Sequence, residues 1–361
     1  MRIASAASAF PKYVFDQQAI VDELKRYWGE RLSPQRVKTG RRAPGNMEVL
    51  ERLHARSGVK RRHLVLPLEA YERVDTWGKA NALWIEHAQE LGSAAICGAI
   101  TPLGIAPWQV NALFFVSVTG IASPSVDALL VNKMGLSPNI KRMPIFGLGC
   151  VAGAVGMARA ADYVRAFPRE IAVLLAVELC SLTWRRDDLS TANMISTGLF
   201  GDGAAAVVVA GSETSFEGPE IVATKSIFYP NTEEVMGWDI SEQGFRIVLS
   251  PDVPKVVEEH LRPDVDAFLE EQGLRRSDVA SWIIHTGGPK VLEAVARALE
   301  LSADALELSW ESLREVGNLS SASVLTVLEK VLATRREASG SYSVLAAMGP
   351  GFCSELVLLK W

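Results

Sequence analysis

The pattern of apolar positions divides most of the chain into short strands and longer helices. Continuous apolar runs that are rich in β-branched residues and bounded by turn residues predict buried strands at 110–118, 171–177, 204–210, 281–284, 343–347 and 356–359. Apolar residues at helical spacing predict helices at 76–98, 125–134, 151–166, 253–272, 291–299 and 320–333. Strands that alternate with helices in this way indicate an α/β protein.

Two stretches repeat the same order of features. At 114–120 and again at 282–288 an apolar strand runs into a turn, and each stretch precedes a helical segment and lies upstream of a glycine-rich element. A repeat of this kind predicts two similar α/β units that meet near 211–220. We therefore divide the chain into an N-terminal half, 1–212, and a C-terminal half, 213–361.

Composition and charge exclude several classes of protein. The 361 residues, 48% of them hydrophobic, are enough for one large core or two fused ones, and a net charge of -5 gives no general affinity for nucleic acid. The most apolar run, 171–182, is shorter than the roughly 20 residues of a membrane span and contains Glu178. The N-terminus lacks the apolar core of a signal peptide. We expect a cytoplasmic protein without nucleic acid binding or membrane insertion.

One cysteine stands in an unusual setting. The spacing of the four cysteines fits neither a zinc motif nor a disulfide framework, so we expect no metal and a reducing compartment. Cys150, however, is bracketed by glycines, and a predicted helix begins at Val151. A thiol at a helix N-terminus meets free backbone N–H groups, which lower its pKa toward the nucleophilic range. A small buried cysteine is the alternative, and the local sequence supports the two interpretations about equally.

A nucleophilic cysteine needs a base and an orienting group. Of the five histidines, only His285 ends an apolar strand and precedes a glycine-rich loop, the usual position of functional groups in α/β folds. The other four lie in charged stretches where we expect solvated side chains: His54, His63, His87 and His260. Asn318 directly precedes a predicted helix, as either an N-cap or an amide donor toward a developing negative charge.

The segments around these three residues resemble the type III polyketide synthases, relatives of plant chalcone synthase. The matches follow the order and approximate spacing of that family and span the chain from Arg52 to its C-terminus. The matching motifs are FGLGCVAGAVG from Phe146, LFGDGAAAVVV from Leu199, IIHTGGPKVL from Ile283, GNLSSASVL from Gly317 and MGPGF from Met348.

The resemblance implies a thiolase fold, in which two duplicated α/β halves form a five-layer αβαβα core. It also implies a catalytic triad of Cys150, in the half 1–212, with His285 and Asn318, in the half 213–361. In this family the cysteine accepts an acyl group from an acyl-CoA, and malonyl-CoA loses CO₂ to form the enolate that extends it. Members of the family act as homodimers on CoA thioesters, without a cofactor or a carrier protein.

Further residues match family positions one at a time. Phe200 and Phe245 match two phenylalanines that separate the CoA tunnel from the acyl cavity, although ordinary core aromatics are the alternative. The basic residues Arg52 and Arg56 match two that hold the CoA phosphates, where a solvated loop is the alternative. Val49 replaces a third, and Lys290 is the candidate to compensate. The matches to the elongation cavity are Thr119, Ser123, Cys180, Thr183, Gly237 and Ser320.

The chain departs from the family in two places that affect substrate choice. Ala347-Met348 replaces a usual Gly-Phe, and Ser123 stands where plant enzymes carry a methionine that reaches into the partner subunit. Several cavity residues are small, which favours a fatty acyl-CoA starter and an alkylpyrone or alkylresorcinol product. The alternative within the family is a synthase that uses malonyl-CoA alone and makes a small polyhydroxylated aromatic.

Two alternatives lie outside the family. An initiating ketoacyl-carrier-protein synthase shares the fold and the triad, but it has His-Gln-Ala-Asn where this chain has His-Thr-Gly-Gly from His285. A thiolase-fold scaffold that binds partners without catalysis would not need a thiol, an imidazole and an amide in register. Both alternatives are therefore disfavoured.

Overall fold

The structure is a computed structural model that describes residues 1–32, 46–185, 187–302, 304–334 and 337–361. The elements of the N-terminal half are β1 (Arg2–Ala9), β2 (Tyr13–Asp16), α1 (Gln17–Trp28), α2 (Asn46–Ala55), β3 (Arg61–Leu64), α3 (Trp77–Ile100), β4 (Ala112–Val116), α4 (Val126–Met134), β5 (Lys141–Ile145), α5 (Ala152–Ala166), β6 (Ile171–Leu179), α6 (Thr191–Leu199) and β7 (Asp202–Ala210). Those of the C-terminal half are β8 (Glu220–Phe228), β9 (Met236–Ser241), β10 (Gly244–Leu249), α7 (Val253–Glu270), β11 (Val279–Ile284), α8 (Pro289–Leu299), α9 (Glu307–Val316), α10 (Ser323–Thr334), β12 (Tyr342–Gly349) and β13 (Cys353–Lys360).

The main sheet has two parts, one from each half. In the described residues its strand order is β11-β12-β13-β8-β1-β7-β6-β4-β5. Because a single pairing, Arg2 with Glu220, links β1 to β8, the sheet divides there into five N-terminal and four C-terminal strands. β4 is parallel to β5 and β6, and β11 is parallel to β12. β2 with β3 and β9 with β10 form separate two-stranded ribbons.

Helices cover both parts of the sheet and fill the space between them. α5 and α10 lie in the middle, where Met157 and Val324 pack in one core with strands of both parts. Trp84 of α3 joins the core on the outer face of the N-terminal part. Leu261 of α7 and Val295 of α8 join the core on the outer face of the C-terminal part. These layers confirm the predicted thiolase fold with its αβαβα order.

All of the predicted strands and helices are present, each within a few residues of its predicted bounds. Sequence patterns missed β1, β5 and β8 of the main sheet, the four ribbon strands β2, β3, β9 and β10, and the helices α1, α2, α6 and α9. β1 has the sequence RIASAASA and lies between α3 and α10, where small side chains let both helices approach the strand. β5 is mostly exposed and contains Pro144, so it lacks an apolar run. No helix among the described residues combines the length and apolarity that crossing a bilayer requires.

Candidate active site

Cys150 lies where β5 gives way to α5. β5 ends at Ile145, a short 3-10 turn spans Gly149–Val151, and α5 begins at Ala152. The cysteine is 6% exposed, and its Sγ lies 3.7 Å from Oγ of Ser320. The structure thus places Cys150 at a strand-to-helix turn and confirms the predicted helix start to within one residue.

Glycines allow the Cys150 turn to pack closely against two other loops. A Cβ on Gly153 would lie 2.2 Å from the carbonyl oxygen of Ser321, so α5 approaches the turn before α10 more closely than any side chain permits. Gly149 has a φ of 52°, and a Cβ there would lie 2.7 Å from Cδ of Pro350. The Cys150 turn therefore contacts both the Asn318 segment and the loop that contains Gly349-Pro350.

His285 directly follows β11, as predicted, and is 5% exposed. Its backbone N–H donates to the carbonyl of Ala346 on β12 at 3.1 Å, and its carbonyl accepts from the N–H of Gly287 at 2.9 Å. The ring Nδ1 is buried without a hydrogen-bond partner in the described residues. The imidazole lines the same cavity as Cys150. Strand pairing and the following glycine turn therefore hold this imidazole at the cavity wall.

Asn318 is held through its backbone and through its side chain, and it is 1% exposed. Its backbone N–H donates to Leu199 at 2.9 Å, and its carbonyl accepts from Gly201 at 3.0 Å. Its Oδ1 accepts from the N–H of Ser320 at 2.8 Å and from Oγ of Ser323 at 3.2 Å. The turn before α10 occupies Oδ1. The Nδ2 group is therefore left for the cavity that Asn318 lines together with Cys150 and His285. The side chain can therefore brace the turn and donate from its amide.

Burial determines the protonation of the thiol and the imidazole. Loss of hydration raises the pKa of Cys150 to about 12, against the smaller effect of its hydrogen bond with Ser320. Burial lowers the pKa of His285 to about 4. Each group is therefore neutral near pH 7. Desolvation thus opposes the lowering of the thiol pKa that is expected from the helix terminus.

Glu178, at the end of β6, is a buried carboxyl near the cysteine that sequence reasoning did not assign to the site. It accepts hydrogen bonds from the backbone of Val118 at 3.1 Å, Oγ1 of Thr119 at 2.8 Å, Oγ of Ser117 at 3.3 Å and Oγ of Ser321. Burial raises the pKa of Glu178 to about 7, although the four donors oppose that shift. The carboxyl is therefore only partly ionised near neutral pH.

Two cavities meet at Cys150 and Phe200, which line both. The first, which we call the C-half chamber, contains His285 and Asn318, and its remaining wall is almost entirely apolar and comes largely from α7, α8 and β12. The second, which we call the elongation chamber, shares Met236 and Leu249 with the first. It contains most of the predicted cavity residues, namely Thr119, Cys180, Thr183, Gly237 and Ser320.

A third and larger cavity of about 1350 Å³ adjoins these chambers. The predicted CoA-binding cations Arg52, Arg56 and Lys290 all line it. Within the described part of the chain, none of the three forms an ion pair. Met236 and Leu249 line this cavity as well as both chambers. The structure thus groups the three cations at a cavity next to the cysteine.

Two of the predicted cavity residues lie elsewhere. Ser123 is exposed and lines none of the three cavities. Phe245 is 4% exposed and packs among the rings of Trp77, Phe146 and Trp238. Strand alternation places Phe245 on the same face of β10 as Ile247 and Leu249, and it is these two that line the chambers. Sequence reasoning missed Ile247, although alternation along β10 could have found it.

The remaining histidines do not enter the site. His54 is 1% exposed, so its predicted solvation is wrong, because α2 packs against α6 and brings Nε2 within 3.3 Å of Oγ1 of Thr197. Burial lowers the pKa of His54 to about 3. The other three are partly exposed: His63, His87 and His260.

The five-layer arrangement, with a cysteine at the turn from β5 into the middle helix α5, defines a thiolase-fold protein. The model of the N-terminal domain of chalcone and stilbene synthases matches residues 3–213, and the model of their C-terminal domain matches residues 220–361. The chain therefore belongs to the chalcone and stilbene synthase family, the type III polyketide synthases, which are acyl-transferring enzymes.

Bacterial members of the family are similar over most of the chain. The 1,3,6,8-tetrahydroxynaphthalene synthase of Streptomyces peucetius subsp. caesius is 49% identical over 87% of this chain and 84% of its own. The phloroglucinol synthase of Pseudomonas fluorescens is 30% identical over 98% of this chain and 97% of its own. The crystal structure of 1,3,6,8-tetrahydroxynaphthalene synthase from Streptomyces coelicolor A3(2), a bacterial type III polyketide synthase, matches with a TM-score of 0.91 at 30% identity, covering 100% of this chain and 99% of that one.

Proposed function

We propose that this enzyme uses malonyl-CoA as both starter and extender and makes a small polyhydroxylated aromatic compound. The products named for two similar enzymes support this. Tetrahydroxynaphthalene and phloroglucinol carry hydroxyls on alternate carbons and no alkyl chain, the pattern left when two-carbon units alone build a skeleton. The fatty acyl starter that the small cavity residues favoured has no counterpart in these products. The relatives therefore favour the malonyl-only alternative.

In this proposal Cys150 is the nucleophile and His285 is its base. Because the pKa of His285 is about 4, the imidazole is a free base at neutral pH and can accept the thiol proton as the sulfur attacks the acyl-CoA carbonyl. The N-terminus of α5 favours the negative charge as it forms on sulfur. The carbon–CoA bond then breaks, and CoA leaves as a thiol with the proton that His285 returns. An acyl thioester on Cys150 results.

The condensation step relies on the amide of Asn318. Loss of CO₂ from malonyl-CoA leaves an enolate whose charge develops on the thioester oxygen. Nδ2 of Asn318 and an N–H of the His285 imidazole line the cavity as donors for this oxygen. The enolate carbon attacks the Cys150 thioester, the bond from carbon to sulfur breaks, and the longer chain remains on CoA.

The three cations at the large cavity provide a site for the CoA phosphates. Arginine and lysine are the side chains that pair with phosphate most effectively, and these three have no ion-pair partner in the described residues. Lys290 is the second residue of α8 and lines the same cavity as Arg52, on α2, and Arg56, which directly follows α2. We propose that it takes the place of the family lysine that is absent at Val49.

We propose that the enzyme works as a homodimer, with no bound cofactor and no carrier protein. An initiating ketoacyl-carrier-protein synthase remains the nearest rival, because it would use the same three residues for one condensation. A non-catalytic scaffold is less well supported, because Cys150, His285 and Asn318 all line a single cavity.

The decisive experiment supplies malonyl-CoA alone, without a carrier protein, and identifies products by mass. A hydroxylated aromatic built from malonyl units is expected, and Cys150→Ala should abolish both acyl loading and product. A panel of starters from acetyl-CoA to stearoyl-CoA should not raise turnover above that with malonyl-CoA alone. If only a fatty acyl-CoA yields product, the malonyl-only proposal is wrong, and if carrier-bound malonate is required, the rival condensing activity is correct.

A further inference from the structure

Arg62 is a fully buried cation that lines none of the three cavities. It belongs to the basic run Lys60-Arg61-Arg62, yet its side chain on β3 is 0% exposed. Burial lowers the pKa of this guanidinium only to about 10, so it is charged at neutral pH. A buried charge is costly unless hydrogen bonds and nearby opposite charges offset its desolvation. The contacts of Arg62 show which part of the structure it serves.

Arg62 and its partner Gln17 bind two carbonyls at the end of α6. Nη1 of Arg62 donates to the carbonyl of Phe200 at 2.7 Å, and Nη2 donates to Oε1 of Gln17 at 3.0 Å. Nε2 of Gln17 in turn donates to the carbonyl of Gly198 at 2.7 Å. Asp202, two residues beyond Phe200, stabilises the guanidinium charge through space. The Arg62 guanidinium thus holds the backbone carbonyl of Phe200 directly and that of Gly198 through Gln17.

The turn at 199–201 also holds Asn318. The backbone of Asn318 donates to Leu199 and accepts from Gly201, so two hydrogen bonds tie the two segments together. The stem of Arg62 packs against the residue before Asn318, since a Cβ on Gly317 would lie 3.1 Å from Cγ and Cδ of Arg62. One guanidinium therefore supports the turn that carries Phe200 and anchors Asn318.

We propose that Arg62 is a positioning residue for malonyl-CoA decarboxylation: it fixes the 199–201 turn and thereby places the Asn318 amide and the Phe200 ring relative to Cys150. The proposal rests on the proposed role of Asn318. The proposal goes beyond the role of Asn318 because it adds a residue that lines none of the three cavities and acts only through the turn. A small displacement of a donor suffices to lower a reaction rate by about 100-fold.

The test compares Arg62→Met, Arg62→Lys and Leu64→Ala. Leu64 lies two residues along β3, is fully buried in the N-terminal core and serves as a control for lost stability. Each variant is assayed well below its melting temperature for two quantities, malonyl-CoA decarboxylation and alkylation of Cys150 by iodoacetamide followed by peptide mass spectrometry. We expect Arg62→Met to lose about 10- to 100-fold in kcat with alkylation within about twofold of wild type. Lysine keeps one donor group, whereas methionine has none, so Arg62→Lys should lose less kcat than Arg62→Met.

Each outcome bears on the proposal. An unchanged kcat in Arg62→Met, or an equal loss in Leu64→Ala, overturns it, and so does a parallel fall in kcat and alkylation. If the methionine variant does not fold, Arg62→Lys alone decides between a selective loss of kcat and none. Absence of decarboxylation in the wild-type enzyme would instead refute the proposed function, which keeps the two failures distinct.

Discussion

Glu178 couples the site to the pH dependence of stability. Its pKa rises from an ordinary 4.5 to about 7 because the carboxyl is buried. The folded protein therefore binds this proton more tightly than the unfolded chain does, so its contribution to stability is fully present below about pH 4.5. That contribution is lost as pH rises through 7, and the difference amounts to about 3 kcal/mol.

Replacing Glu178 by glutamine should remove this pH dependence. We expect the free energy of unfolding of the wild type, relative to Glu178→Gln, to fall by about 3 kcal/mol between pH 4.5 and pH 8. Urea unfolding at several pH values measures the difference. Glu242→Gln is the control, since Glu242 is exposed and its charge is hydrated in both states. A constant difference between wild type and Glu178→Gln would show that the buried carboxyl does not titrate in this range.

Sequence reasoning found the residues that carry their own local signals. Cys150, His285 and Asn318 each lie at the end of a predicted element and within two residues of a glycine, and the structure brings all three to one cavity. Glu178 lay inside an apolar run and Arg62 inside a basic one, so neither pattern indicated its role. Their environments depend on how distant segments close around them, which local composition does not encode.

At the scale of elements, α5 reaches the Asn318 segment only because of its second residue. Gly153 and Gly78 are each the second residue of a helix, but a Cβ on Gly78 would meet nothing within 4 Å. A methyl group at Gly153 would strike the carbonyl of Ser321 and push α5, with Cys150, away from Ser320. The two positions therefore form a matched pair for substitution.

We expect Gly153→Ala to cost about 1–3 kcal/mol of stability and to lower decarboxylation strongly. Gly78→Ala should stabilise the protein by up to about 1 kcal/mol, since alanine is the better helix former, and should leave activity unchanged. Urea unfolding and a malonyl-CoA decarboxylation assay measure both effects. Wild-type stability and activity in Gly153→Ala would mean that the close approach of α5 is not required.

Two of the strands that sequence patterns missed, β1 and β5, lack an apolar run for different reasons. β1 is central yet built from small residues, because helices approach it from both faces, and β5 is an edge strand with little buried surface. The error at Phe245 has a different origin. The ribbon of β9 and β10 is separate from the main sheet. Phe245 and Ile247 share one face of β10, and only Ile247 lines the elongation chamber.

At the scale of the whole molecule, the site belongs to neither half alone. Cys150 comes from the N-terminal half, whereas His285 and Asn318 come from the C-terminal half, and the middle layer of α5 and α10 joins them. The chambers are likewise closed by the ribbon of β9 and β10. The placement of one half relative to the other therefore sets the distances between Cys150, His285 and Asn318. Contacts between the N-terminal half and a second copy of the chain should also affect these distances.

The exposed edge of the sheet leads to the last prediction, that two copies of the chain associate through β5. β5 pairs only with β4 in the described residues, and Met143 and Phe146 are 40% and 47% exposed on it and just after it. Apolar side chains on an uncovered sheet edge favour association with another chain. Pro144 removes one backbone donor there, so we expect side-chain packing to contribute more than a continuous ladder.

Met143→Glu should therefore shift the protein from dimer toward monomer, because it would bury a charge in an apolar contact. Light scattering during size-exclusion chromatography measures the mass. Phe228→Glu is the control: Phe228 is 60% exposed at the end of β8, on the other side of the sheet junction, and its substitution should leave the dimer intact. A monomeric wild type would refute the dimer, and dissociation by Phe228→Glu but not by Met143→Glu would place the interface elsewhere. Since Phe146 lies four residues before Cys150, loss of the dimer should also lower turnover.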